Sequence, residues 1–276
     1  MVFSHLKMVA VLRNSLVLMG LLAVSAPALA VPISWGFTSA SCVSSCSPVR
    51  TTSKTFSSSP SGGPNAVVTA WANVVNGSDL TLGDGSSGAS KVGLYSGGLG
   101  VTHGDGEGTG SPNHGLDNVG RYELLMFDLG PVPVALTNVS LGYFSGDSDI
   151  TVLAYTGLDT PSLAGLVYNG SSQNLTTNGW KHIGNYDVDM TDATAPYDQA
   201  VSTSVRSKFW IVAALNDVFP GCSTAAGSCD ETSGGDYVKV VGLSGDRKLP
   251  APEALLLLFA AVPALLFLRR RSPTAR

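Results

Sequence analysis

The chain is poor in several things that common functions depend on. Only 13% of its 276 residues are charged, and it holds four cysteines and four histidines. No apolar run reaches the roughly 20 residues that a permanent membrane-spanning helix needs. No stretch between the two ends keeps a helical period, and no internal repeat is visible, which disfavours a solenoid or a propeller. Gly97-Gly98-Leu99-Gly100 is not followed by Lys-Ser/Thr, so it is no phosphate loop. Neither Ser96 nor Ser111 sits in Gly-x-Ser-x-Gly surroundings. Basic residues are scarce in the long central part: between residues 31 and 248, 19 acids face 10 bases, giving −9 there against −4 for the whole chain. Such a body repels nucleic acid and anionic lipid and stays soluble. Glutamate is scarce as well, with 16 Asp to 3 Glu in the same stretch. Asp suits turns and oxygen-rich cation sites, so this bias fits a loop-rich β protein able to hold Ca²⁺.

The bases missing from the body sit at the ends. Lys7 and Arg13 precede an apolar run, Ser15 to Ser25, and Ala28-Leu29-Ala30 is a small-x-small cleavage site. Residues 1–30 therefore read as a secretory signal peptide, cut by signal peptidase after Ala30. At the other end, Pro250-Ala251-Pro252-Glu253 leads into 15 uncharged residues, 254–268, and then Arg269, Arg270 and Arg271. A helix of that length covers roughly 22 Å, short of a bilayer core of about 30 Å. Pro263 interrupts its middle. The arginines stay on the cytoplasmic side, which puts the body outside. Residues 249–276 thus form a transient transmembrane tail rather than part of the fold, and residues 31–248 form one extracytoplasmic domain.

This three-part tail resembles the PEP-CTERM sorting signals of bacterial proteins that exosortases process. The resemblance implies cleavage near Pro250 and Pro252, with Glu253 and the arginines as recognition features, and release or transfer to the cell surface. The commonest pattern places Glu between the two prolines; here it follows the second, which leaves the cut position open.

In the body, short runs rich in Val, Ile, Thr, Tyr and Trp alternate with Gly/Asn/Asp/Ser clusters, which is the composition of strands and turns. Nine strands are expected: Ile33–Thr38, Ala66–Val74, Lys91–Tyr95, Arg121–Leu129, Val134–Phe144, Asp149–Tyr155, Trp180–Tyr186, Lys208–Leu215 and Tyr237–Leu243. Their number and alternation predict an all-β protein: a single antiparallel β-sandwich of jelly-roll type, flanked by a signal-peptide helix and a C-terminal transmembrane helix. Trp71, Trp180 and Trp210 are expected between the sheets. Residues 39–65 read as a loop and residues 157–179 as a loosely structured polar stretch.

Cys42, Cys46, Cys222 and Cys229 all lie in the exported body, where disulfides persist. Local and crossed pairings are both open. The spacings Cys-x3-Cys and Cys-x6-Cys are poor for zinc.

Residues 96–120 read as one long glycine-rich loop. Asp105, Glu107, Asp117 and Asn118 offer side-chain oxygens there for a Ca²⁺ shell. Asp147 and Asp149 form a second acidic pair where a strand begins. His103, His114 and Asp117 have the residue types of a metal or acid–base site, with no activated nucleophile motif beside them. The pattern Asn113-His114-x-x-Asp117-Asn118-x-Gly120-Arg121-Tyr122, followed by Gly146-Asp147-Ser148-Asp149, resembles a family of exosortase-dependent surface proteins, and the similarity runs on to residues 236–245. The resemblance implies class and location and adds no reaction.

The expectation is a non-catalytic exported protein with a structural or adhesive role at the cell surface or in the extracellular matrix. Its partners would be signal peptidase, exosortase, the membrane in passing, and extracellular polysaccharide. The alternative is a carbohydrate-binding module with structural Ca²⁺, using Tyr95, Tyr122, Tyr155 or Trp180 against sugar rings. A secreted hydrolase ranks third.

Overall fold

The computed structural model describes residues 30–73, 81–83, 90–103, 112, 114–188, 194–222, 229 and 235–249. The expected signal peptide through Leu29, with Lys7, Arg13 and Ala28, lies outside the described residues, as do Asp105 and Glu107. So does the tail from Pro250 onward, with Pro252, Glu253, the 254–268 segment and Arg269 to Arg271.

The described chain is built of strands. In order they are β1 (Ala30–Gly36), β2 (Cys42–Ser44), β3 (Arg50–Thr51), β4 (Ser53–Phe56), β5 (Ser58–Ser59), β6 (Ala66–Asn73) and β7 (Leu82–Gly83). Next come β8 (Ser90–Tyr95), β9 (Gly98–His103), β10 (Leu116–Asp117), β11 (Glu123–Asp128), β12 (Val134–Gly146) and β13 (Ile150–Tyr155). The last are β14 (Tyr168–Asn169), β15 (Ser172–Gln173), β16 (Trp180–Tyr186), β17 (Tyr197–Ala200), β18 (Phe209–Ala214) and β19 (Asp236–Lys248). One 3-10 turn, Thr176–Asn178, precedes β16.

Two antiparallel sheets carry the fold, as the alternating sequence predicted. One runs β17-β12-β19-β9-β8-β3, with β1, β5 and β10 joined along β19 and β1; the other runs β16-β13-β18-β11-β6-β4-β2, with β7 on β6. From β11 onward the main strands cross repeatedly between the sheets, so both depend on distant parts of the chain. The inner faces meet in a core that includes Trp35, Phe37, Phe127, Val152, Trp210, Val212, Leu99, Leu141 and Val240. The side-chain period of two explains the selection: Val68 and Ala70, or Val152 and Ala154, point inward while their neighbours point out.

Many of the outward-pointing residues of the second sheet are buried too. Trp71, Leu124, Leu153, Trp180, Ile211 and Ala213, on the far face of the second sheet, form another apolar cluster with Leu163, Tyr168, Leu175 and Phe219. Two expectations are corrected here. Of the three expected tryptophans, only Trp210 packs between the sheets; Trp71 and Trp180 lie on the opposite face. Residues 157–179 are no loose stretch but a pad, pinned by the β14–β15 hairpin and by the bond from Val167 N–H to Asn174 Oδ1. Leu163, Tyr168 and Leu175 have no exposure at all, and removing such apolar surface from water is what holds the pad down.

The two cysteine pairs close locally, Cys42 with Cys46 and Cys222 with Cys229, leaving no free thiol. Residues 39–65 carry the first pair as expected, but they also supply β2 to β5 at the sheet edges. The carbonyls of Ser45 and Pro48, inside and just beyond the disulfide loop, accept bonds from the buried Lys54 Nζ at 2.8 and 3.1 Å. The long glycine-rich loop is also shorter than expected, because β9 and β10 lie within it. Gly100 shows why glycine is used there: a Cβ would fall 1.7 Å from the carbonyl oxygen of His114. The strand can run past the His114–Gly115 turn only without a side chain at this position.

Candidate functional site

β19 is 13 residues long and crosses the whole first sheet. At one end it pairs with β1, Ala30 opposite Lys248. At the other, three acidic side chains gather: Asp147 and Asp149 from the β12–β13 connection, and Asp236 from the start of β19, each with an oxygen within 4.8 Å of the others. Local backbone geometry brings them together. Gly146 and Gly235 both take a positive φ, +76° and +89°, which costs a glycine nothing. A Cβ on Gly146 would meet the Gly235 carbonyl at 2.7 Å, so the turns can touch only with glycine at position 146, and a Cβ on Gly235 would strike Val119 Cγ2 at 2.0 Å. Asp147 N–H then donates to Gly235 O at 3.3 Å, and Asp147 bridges Asp236 in parallel.

The carboxylates are held from several directions. Asp149 N–H donates to Asp236 Oδ1 at 2.9 Å, and Ser148 N–H to Asp147 Oδ1 at 2.8 Å. Asn118 Nδ2 donates to Asp236 Oδ2 at 2.6 Å and to Leu215 O at 3.1 Å, while Asn118 Oδ1 accepts from Asp236 N–H at 2.9 Å. Asp149 is 1% exposed and Asp236 not at all. Two buried carboxylates this close repel strongly when both are charged, and a cation or a shared proton relieves the repulsion.

A second acidic pair lies one residue away along the chain. Asp117 N–H donates to Glu123 Oε2 at 3.3 Å, and Val119 N–H donates to Asp117 Oδ1 at 3.1 Å. Burial pushes the Asp117 carboxyl up to about 7, against the pull of the Val119 N–H and the Arg121 charge. Tyr237, opposite Asp117 in the β10–β19 ladder, is raised by burial and by the charges of Asp117 and Glu123.

Of the four oxygen donors expected from the sequence, Asp117 and Asn118 are described, and they part company. Asn118 reaches the three-carboxylate group as a clamp on Asp236; the Asp117 carboxylate instead accepts from Val119 N–H. The expected acidic pair Asp147 and Asp149 is in the group. Asp236 is the member that sequence reading missed. It lies 87 residues beyond Asp149, and nothing local marks it beyond standing first in an alternating strand. His114 stacks on Tyr95, with ring centroids 5.0 Å apart. His103 is buried within β9.

The four expected sugar-stacking aromatics do not share a face. Tyr95 is engaged by Arg50 Nε and Thr102 Oγ1 through its hydroxyl, and its ring receives Lys239. Tyr122 packs edge-on against Tyr168, and Trp180 is 2% exposed. Tyr155 borders a cleft at the opposite end of β13 from Asp149.

Comparison with protein-family models, with curated proteins and with solved structures yields no match to this chain.

Proposed function

We propose that this chain is an exported bacterial surface or extracellular-matrix protein with a non-catalytic, structural or adhesive role, trimmed by signal peptidase and by an exosortase. The observation that carries this reading is the pair of local disulfides in an acidic body with no free cysteine, a state that belongs to oxidising compartments. The pairing of β1 with β19 from Ala30↔Lys248 to Gly36↔Gly242 supports it. The body begins and ends on one closed ladder, so trimming both flanks leaves every rung from Val31 onward in place. Intact-mass measurement of the secreted protein, from strains with and without the exosortase, tests the reading. The expected mass starts at Val31 and ends near Pro250 only in the first strain. An untrimmed C-terminus in both strains defeats it.

The acidic group supports one addition, a structural Ca²⁺ held by Asp147, Asp149 and Asp236. Three carboxylates from two distant segments, two of them buried, meet within 4.8 Å, and Ca²⁺ takes oxygen ligands of this kind. A bound ion would tie the β12–β13 connection to β19 and so brace that end of the sandwich. Thermal melting with Ca²⁺ and with EGTA tests it: a higher midpoint with the ion is expected, and equal midpoints remove the ion from the proposal.

A further inference from the structure

The cleft beside Tyr155 has a construction that the acidic end lacks. Its volume is about 550 Å³, and it opens where the segments after β11 and after β13 meet the residues leading into β18. Three ties, two between backbone groups and one from a side-chain hydroxyl, fix its walls. Leu129 N–H donates to Lys208 O at 2.8 Å. Val134 and Ser207 exchange bonds at 2.9 and 3.0 Å. Ser207 Oγ donates to Tyr155 O at 2.6 Å. The cleft is therefore shaped before any ligand arrives.

The Tyr155 ring is equally fixed. A Cβ on Gly157 would lie 2.4 Å from its hydroxyl oxygen, and one on Gly179 would lie 2.8 Å from its Cε2. Two side-chain-free stretches of backbone thus close on the ring. Phe209 meets it edge-on at 6.2 Å and Trp180 tilts against it at 5.3 Å. Tyr155 remains half-buried and is one of the residues that line the cleft. Leu158, fully exposed, stands on the same rim.

Charge decides the ligand class. Asp128 and Asp159 line the cleft together with Arg206 and Lys208. Acceptors and donors balance, so an anion or a cation meets like charge on one side. A purely apolar ligand strips water from four charged side chains and returns nothing, which is costly. A neutral polyhydroxylated ring matches both features, because its hydroxyls donate and accept while its C–H face lies on an aromatic ring. We infer that this cleft binds a neutral oligosaccharide, with Tyr155 and Leu158 as the apolar platform and Asp128, Asp159 and Lys208 bonding to hydroxyls. This deepens the matrix reading above by naming a ligand class and its site, and it rests on that reading for its biological setting.

Calorimetric titration of the secreted protein with maltotriose, cellotriose and trigalacturonate tests the proposal. Binding of at least one neutral trisaccharide is expected. Tyr155→Ala should abolish it. Asp159→Asn and Lys208→Ala, at exposed positions where folding is not at stake, should each weaken it roughly tenfold, the loss of one charge-assisted hydrogen bond. Three outcomes overturn the proposal: no heat with any of the three, binding of trigalacturonate alone, or neutral binding unchanged in the two surface variants. None of them bears on processing, which the mass measurement reads separately, so failure here and failure of the surface reading are distinguishable.

Discussion

Asn118 and Asp236 hold each other by two reciprocal hydrogen bonds across 118 residues of chain: Asn118 Nδ2 donates to the Asp236 carboxylate at 2.6 Å, and Asp236 N–H donates to Asn118 Oδ1 at 2.9 Å. With the third bond, to Leu215 O, one side-chain amide joins the end of β10, the end of β18 and the start of β19. An amide suits this, since one planar group supplies the two N–H donations and the one acceptance.

Asn118→Ala should therefore destabilise the protein by about 2–4 kcal/mol, the cost of leaving several buried polar groups unsatisfied. Asn118→Asp keeps the shape but sets a carboxylate against Asp236, and should cost more at neutral pH than in acid. Urea unfolding of both variants at two pH values checks the order.

Stability should also follow the protonation of Asp117. Its folded value, about 7, is raised above the ordinary 3.8. The folded chain then binds this proton more tightly than the unfolded chain. The contribution is fully present below the unfolded value and is lost as pH rises through the folded one. Stability should fall by a few kcal/mol as pH climbs from near 4 to above 7, since each pH unit between the two values removes up to about 1.4 kcal/mol. Urea unfolding across that pH range checks it. Asp117→Asn should flatten the slope; a slope unchanged in the variant would assign it elsewhere.

Gly100→Ala should be among the most damaging single-methyl changes in the chain. The added Cβ would sit 1.7 Å from His114 O, backbone that has no room to yield while Val101 N–H bonds to Gly115 O at 3.0 Å. A loss above about 2 kcal/mol is expected on urea unfolding, in the range of overpacking. Gly36→Ala, where nothing lies within 4 Å, serves as the control and should change stability far less.

The disulfides should appear in peptide mapping under non-reducing conditions as Cys42 linked to Cys46 and Cys222 linked to Cys229, with no link between the two ends of the body. Both loops are short, with separations of four and seven residues. Reducing either should therefore cost only about 2–3 kcal/mol by loop entropy. Crossed pairs would close far longer loops, and their reduction would cost distinctly more.

Much of the scaffold was legible because strands with one face inward announce themselves. In Val139-Ser140-Leu141 the buried residues take every second place, and β12 forms where expected. β9 escaped notice because all six of its residues are buried; with neighbours on both faces it has no alternation to show, and its glycines read as loop. The tryptophans were misplaced for a related reason. Period two says that Trp71 and Ala70 point to opposite faces, but both faces of that sheet are covered, so pattern alone does not say which one meets the other sheet. The pad at 157–179 looked polar because only a few of its residues, among them Leu163, Tyr168 and Leu175, do the burying.

By itself the sequence determined the class: an acidic, lysine- and arginine-poor body with strand periodicity and turn chemistry folds as an antiparallel sandwich, since those are local preferences each segment carries alone. The tertiary structure decided the sites. Asp236 joins Asp147 and Asp149, Asn118 becomes a clamp instead of a ligand, and Tyr155 comes to border a cleft with Lys208. Each is a meeting of residues distant in sequence, fixed by which strands pair and at what register, and the cooperative packing of the whole chain settles that pairing.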